Sequence, residues 1–241
     1  ALIETFLPSA NGKKWYNAEV NPDIRIISRY PILDKKALDG NGAFLIDLGT
    51  KKLVFIMAHL PCCDNETDRQ KEVDNIMSFV RSVRYGISSF QTPQNTPIVI
   101  SGDMNLVGLR QQLQTFITGD IQNNATYGPD FTPDWDDSAL EDAVPVTTNN
   151  SAAFTWYNEL GLYSAGRLDF FLYTGSVLSV KNSFALWSPD LTSQQLASSG
   201  LQAGDIPTAS DHLPIVADFS ITGLSTEVVT SDGGPVISAG W

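Results

Sequence analysis

The stretch Thr96-Pro97-Ile98-Val99-Ile100-Ser101-Gly102-Asp103-Met104-Asn105 changes character halfway along. Thr96 to Ser101 is a short, continuous apolar run entered from a Pro- and Gln-rich loop, which predicts a strand buried on both faces rather than one with a wet side. Such a strand needs a packed layer on each side, so the run points to an α/β architecture. Ser101 to Asn105 then places a carboxylate and an amide two residues apart where the strand stops. Two readings are open there. The pair can be an Asx turn that ends the strand. Alternatively both side chains project from one side of an extended turn. The aspartate could then bind a metal or polarise water, and the asparagine could donate to a phosphoryl oxygen.

Upstream of this run, Glu66 to Phe90 carries Val73, Ile76, Met77, Val80, Val83 and Ile87 at three- and four-residue steps, the period of an amphipathic helix lying on a sheet. Before it, Asp23 to Ser28, Ala43 to Leu48 and Leu53 to Ala58 read as strands, the last two joined through Gly49-Thr50-Lys51 as a hairpin. Leu2, Ile3, Phe6 and Leu7 read as the end of a helix stopped by Pro8. Downstream, Leu109 to Ile117 and Leu191 to Ser198 read as helices, Ala125 to Asp137 as a loop, and Leu168 to Tyr173 and Leu213 to Phe219 as strands. The hairpin among alternating strands and helices predicts a mixed sheet. Residues 1–222 read as one domain and 223–241, rich in Ser, Thr and Gly, as a tail or linker.

The 241 residues hold 27 acidic and 15 basic side chains, a net charge of −12, which argues against a broad basic surface for nucleic acid or anionic membranes. A bound divalent cation could still bring a phosphate to a local site. Lys13, Lys14, Arg25 and Arg29 offer local positive charge, although scattered basic residues usually form solvated faces. No apolar run approaches the ~20 residues that span a bilayer. Cys62 and Cys63 are adjacent, and because neighbours rarely bridge without a strained peptide, no disulfide framework is expected. Sequons at Asn65, Asn124 and Asn149 and a low charged fraction of 17% favour a secreted or extracytoplasmic protein.

Both histidines stand where an apolar strand meets a turn, in Ala58-His59-Leu60-Pro61 and Asp211-His212-Leu213-Pro214. Each could be a satisfied structural histidine; two in matching contexts point to a sheet rim, where open α/β folds place ligands and an imidazole works as acid or base. Asp169, in Gly166-Arg167-Leu168-Asp169-Phe170-Phe171, lies inside an apolar strand, and a buried charge there needs a partner. Arg167 is one candidate; a histidine whose tautomer the carboxylate fixes is the other.

Taken in order, His59, Gly102-Asp103-x-Asn105, Arg167-x-Asp169-Phe170 and Ser210-Asp211-His212-x-Pro214 resemble the endonuclease/exonuclease/phosphatase superfamily, the group of pancreatic-type deoxyribonuclease. Ile26-Ile27-Ser28-Arg29-Tyr30-Pro31-Ile32 and Thr155-Trp156 agree as weaker landmarks. The resemblance implies a four-layer αββα sandwich of mixed sheets and hydrolysis of phosphate esters by in-line attack of water with Mg²⁺, or Mn²⁺ or Ca²⁺. On that resemblance His212 is the general base or phosphate ligand held by Asp169, Asp103 positions the water, Asn105 hydrogen-bonds the phosphoryl group, and His59 assists the leaving group or transition state. Asp211, with Asp103 and Asn105, is expected near the metal. Arg29 has a structural or a substrate role. The substrate class extends over nucleic acid, a phospholipid head group and small phosphoesters, and Trp135 in its loop could contact a head group or a sugar.

The sequence departs from the family in one respect. The family's first strand carries an Asn, and the next ends in a Gln-Glu pair whose glutamate is the principal metal ligand. Both precede the part that Ala1 to Trp15 resembles, and Glu4 is no substitute. The expectation is therefore an N-terminally incomplete domain, completed by an upstream segment or a second chain. The alternative function is a catalytically inactive binding or structural module on the same fold. A thiol nucleophile at Cys62 or Cys63 ranks lower, since Pro61 and a turn favour packing and no Gly-x-Ser-x-Gly elbow is present.

Overall fold

The structure is a computed structural model that describes residues 7, 14–161, 163–222 and 236–239. The expected N-terminal helix and Glu4 lie outside the described residues. The strands are β1 (Tyr16–Asn21), β2 (Ile24–Ser28), β3 (Ile32–Leu38), β4 (Asn41–Asp47), β5 (Lys52–His59), β6 (Ile98–Asp103), β7 (Glu141–Asp142), β8 (Val146–Thr147), β9 (Asp169–Tyr173), β10 (Leu178–Ala185), β11 (Ile215–Ile221) and β12 (Val236–Ala239). The helices are α1 (Glu66–Arg84), α2 (Gln111–Thr118), α3 (Asn124–Tyr127), α4 (Ser193–Ser199) and α5 (Asp205–Ala209), with a 3-10 turn at Ser188–Asp190.

A six-stranded sheet runs β3-β4-β5-β6-β9-β7, and a four-stranded sheet runs β12-β11-β10-β8. Both are mixed: β5 and β6 are parallel among antiparallel neighbours, and β8 runs parallel to β10. Alternation along the central strands sorts their side chains into two cores. Val54, Ile56, Ala58, Ile98, Ile100, Phe170 and Leu172 meet Val73, Ile76, Met77 and Val80 of α1. Phe55, Met57, Val99, Phe171 and Tyr173 meet Ala185, Ile215, Ala217 and Phe219 of the smaller sheet. Burial on both faces is why β5, β6 and β9 read as unbroken apolar runs, and each large aliphatic side chain so buried contributes about 1.5–3 kcal/mol. Helix, sheet and sheet form an α/β sandwich. Among the described residues, α4 buries nothing and α5 adds Ile206 to the core between the sheets.

Helix α1 is shorter than its periodicity predicts. It stops at Arg84 because Gly86 turns left-handed at φ +67, and Ile87, counted on the apolar stripe, is 76% exposed. Part of the segment read as a tail adds β12 antiparallel to β11. Cys62 and Cys63 are bridged as a vicinal disulfide, contrary to expectation; the backbone accommodates it with Cys63 in the left-handed region at φ +63. No helix among the described residues is long and apolar enough to cross a membrane.

Candidate active site

The register of the large sheet aligns three of the candidate residues. His59 is the Cα partner of Asp103 across the parallel β5–β6 pair, and Asp103 is the partner of Asp169 across the antiparallel β6–β9 pair. They therefore share one level at one rim. The strands come this close because Gly102, at φ +132, has no side chain; a Cβ there would stand 2.0 Å from the Ala58 carbonyl oxygen.

His212 reaches this rim from the segment leading into β11. Its Nδ1 donates to Asp169 Oδ2 at 2.9 Å, and its Nε2 lies 3.7 Å from Asp103 Oδ2. The His59 Nε2 lies 3.9 Å from the same Asp103 oxygen. Asp169 thus takes the histidine partner rather than Arg167, which pairs with Asp142 and lies 4.0 Å from the centroid of the Phe170 ring. Asp103 and Asp169 are buried, while the His59 side chain is 42% exposed.

The electrostatics follow from burial and proximity. Burial pushes the Asp103 carboxyl above its ordinary range and the charge of Asp169 adds to this, with the Asn105 N–H and the two histidines pulling less strongly the other way. For His212 burial favours the neutral ring, but the Asp169 hydrogen bond and the charges of Asp169, Asp103 and Asp211 outweigh it and hold the imidazole above its usual value.

The Asn105 side chain faces Leu60 and Asp103. Its Nδ2 donates to Leu60 O at 2.9 Å and to Asp103 Oδ2 at 3.0 Å, which uses both amide hydrogens, so none is left for a phosphoryl oxygen. Its own N–H donates to Asp103 Oδ1 at 2.9 Å. It braces Asp103, and φ +44 suits an Asn. Asp211 is exposed, and its Oδ2 accepts from Trp156 Nε1 at 3.0 Å. Arg29 stacks over the Trp15 ring at 3.8 Å.

Two positioning residues carry no sequence signal beyond a landmark. Thr155, fully buried, accepts at Oγ1 from the backbone N–H groups of Leu168 and Asp169 at 3.0 and 2.8 Å, and its carbonyl accepts from Leu213 N–H at 2.7 Å. It straps the two halves of the His212–Asp169 pair together. Asn41, also fully buried, accepts the His59 N–H at 2.9 Å and donates to Glu72 at 2.7 Å. Asn41 sits in a turn-like Asp39-Gly40-Asn41-Gly42 stretch that hides this role.

Among the described residues, Asp103, Asp169 and His212 form a group with ligand atoms within 4.8 Å of one another; Asp211 is not in it. Hard carboxylate oxygens suit Mg²⁺ or Mn²⁺, and a cation would offset the burial, and after it the Asp169 charge, that raise Asp103. The donor chemistry fits such an ion.

No protein-family model and no curated protein matches the chain. Solved structures do match. Truncated TDP2 of Caenorhabditis elegans aligns over 84% of this chain and 73% of its own, at 15% identity and a TM-score of 0.50. An endonuclease/exonuclease/phosphatase family protein from Leptotrichia buccalis aligns over 87% and 73%, at 13% identity and a TM-score of 0.49. The chain has the endonuclease/exonuclease/phosphatase fold. The human Nocturnin catalytic domain aligns over 80% of this chain, at 14% identity and a TM-score of 0.48, and the chain spans 60% of that domain. The rim lies at the C-terminal ends of β5 and β6, where His59 and Asp103 stand, and at the N-terminal end of β9, where Asp169 stands.

Proposed function

We propose that the chain is a divalent-metal-dependent phosphoesterase that hydrolyses a phosphodiester or phosphomonoester by in-line attack of water. The observation that carries this is the convergence of His212–Asp169, Asp103 and His59, from four separate segments, on one rim. Asp169 fixes the tautomer of His212, leaving Nε2 to accept a proton from the attacking water. Asp103, braced by Asn105, orients that water. His59, the more exposed imidazole, protonates the leaving oxygen. Asp103, with the Asn105 Oδ1 beside it, would hold a Mg²⁺ or Mn²⁺ ion; Asp211, outside the Asp103–Asp169–His212 group and bonded to Trp156, adjoins that site through His212. The ion's contribution is to neutralise charge gathering on the phosphoryl oxygens.

Phosphate esters of nucleic acid, lipid head groups and small molecules share the reacting group, and the net charge of −12 weighs against a long polyanion. The exposed Cys62–Cys63 disulfide and the sequons favour an extracytoplasmic setting. The test is hydrolysis of bis(p-nitrophenyl) phosphate and p-nitrophenyl phosphate with Mg²⁺ or Mn²⁺. Turnover that stops with a chelator and is lost in His212→Ala supports the reading. Absence of turnover in the folded protein with either ion returns the chain to the binding-module alternative.

A further inference from the structure

The loop between β5 and α1 joins three features that the phosphoesterase reading leaves unused. Leu60 touches the site twice: its N–H donates to the Asp103 carbonyl at 3.0 Å, and its carbonyl accepts from Asn105 Nδ2 at 2.9 Å. Beyond it, the Pro61 and Cys63 carbonyls both accept from the guanidinium of Arg69. Arg69 is fully buried, and its charge is met by Glu66 at 3.2 Å. Glu66 is held in turn by Gln112 Nε2 at 2.6 Å. A buried arginine with its fork on two carbonyls of one short loop is a clamp, since the planar fork fixes direction as well as distance.

The third feature is the Cys62–Cys63 disulfide, exposed on the same loop. Cys63 is left-handed at φ +63, a region that a non-glycine residue leaves when nothing holds it there. Its carbonyl is one of the two that Arg69 grips. Opening the bridge lets Cys63 return to negative φ, which turns that carbonyl away from the clamp and loosens the chain through Pro61 to Leu60. Asn105 then loses a fixed acceptor, and Asp103 its brace.

We propose that Leu60–Asp64 is a redox-responsive positioning loop for Asp103 and Asn105, set by the Cys62–Cys63 disulfide and by Arg69 as positioning residue. The step is a two-electron exchange with a dithiol: the Cys62–Cys63 S–S bond breaks, two thiols form, and the dithiol gives up two hydrogens and closes to its own disulfide. The proposal rests on the phosphoesterase reading for its consequence, which is low turnover while thiols are kept reduced and full turnover after oxidation, as on export.

The test compares the full chain before and after dithiothreitol, with opening confirmed by the mass of two added alkyl groups after iodoacetamide. Reduction is expected to lower turnover of bis(p-nitrophenyl) phosphate by about tenfold to a hundredfold and to speed hydrogen exchange at Leu60 and Asn105, with the interiors of β5 and β6 unchanged. Reoxidation restores both. Cys62→Ser/Cys63→Ser is expected to behave as the reduced protein and ignore dithiothreitol. Arg69→Lys, which keeps the charge and loses the fork, should show the same fast exchange with the disulfide intact. Unchanged exchange at Leu60 and Asn105 after confirmed reduction overturns the proposal, whatever the activity. Faster exchange with no turnover in either redox state supports the loop coupling and removes the phosphoesterase reading.

Discussion

Asp103 and Asp169 stand directly opposite one another on adjacent buried strands. Like charges in that position destabilise a sheet, and here they are tolerated because His212 bonds Asp169 through Nδ1 and turns Nε2 toward Asp103. The rim therefore holds strain that a purely structural sheet would avoid.

Replacing Asp103 by Asn removes that repulsion while keeping the shape. The Asp103 carboxyl is held above its ordinary value, first by burial and then by Asp169. Its ionised form therefore destabilises the folded chain at neutral pH, and the penalty fades as pH falls through the raised folded value and is gone below the ordinary value of 3.8. Asp103→Asn should raise the melting temperature at pH 7, with the gain shrinking toward pH 3, and should cut turnover by about 10²–10⁴-fold. A lower melting temperature at pH 7 would contradict the account.

His212 gives the opposite sign. Its folded-state value is raised, so the protonated ring contributes stability that is complete below the ordinary value of 6.5 and lost as pH rises through the folded value. If neutral His212 accepts the proton, the acid limb of the rate profile should lie above that ordinary value. Asp169→Asn takes away the main raising partner and leaves burial, which lowers, opposed only by the charges of Asp103 and Asp211; the His212 titration followed by NMR should move down. Turnover should fall by about 10²–10⁴-fold with the domain still folded.

Asn105→Ala should act through Asp103 rather than through a lost contact to substrate. It leaves the Leu60 carbonyl without that donor and removes the side-chain bond to Asp103 Oδ2, while the backbone N–H bond to Oδ1 remains. The expected result is kcat down by about 10–10²-fold with KM changed far less. A large rise in KM at constant kcat would restore the direct phosphoryl contact.

Thr155→Val keeps the volume and deletes the oxygen that two buried N–H groups share. Each N–H left without an acceptor costs about 1–3 kcal/mol. Denaturant unfolding should show the loss, the His212 titration should shift, and Thr155→Ser should recover both.

Much of this was legible in the chain. The continuous apolar runs at Leu53–Ala58, Ile98–Ile100 and Phe170–Tyr173 mark strands buried on both faces, and the matched settings of His59 and His212 mark a rim. The edge strands were not. Ile32–Leu38 is largely exposed and carries polar residues on both faces, so no period of two survives there; Tyr16–Asn21 alternates Tyr16, Ala18 and Val20 with Asn17, Glu19 and Asn21, but over only six residues, none of them fully buried, and Pro207 inside α5 argues against the helix that forms. The pairing of Asp169 was readable only as a choice between partners. The roles of Asn41, Arg69 and Thr155 were hidden because what they hold, His59, Pro61 and Leu213, comes from other segments.

The alignment of His59, Asp103 and Asp169 on β5, β6 and β9 also governs when the rim can exist. The parallel β5–β6 pairing closes only after α1 has crossed over, and the approach of His212 to Asp103 closes a far longer stretch of chain. Such non-local contacts make folding slow. On refolding from denaturant, helical signal should return first and hydrolysis last, so recovered turnover would time the final docking of the two sheets.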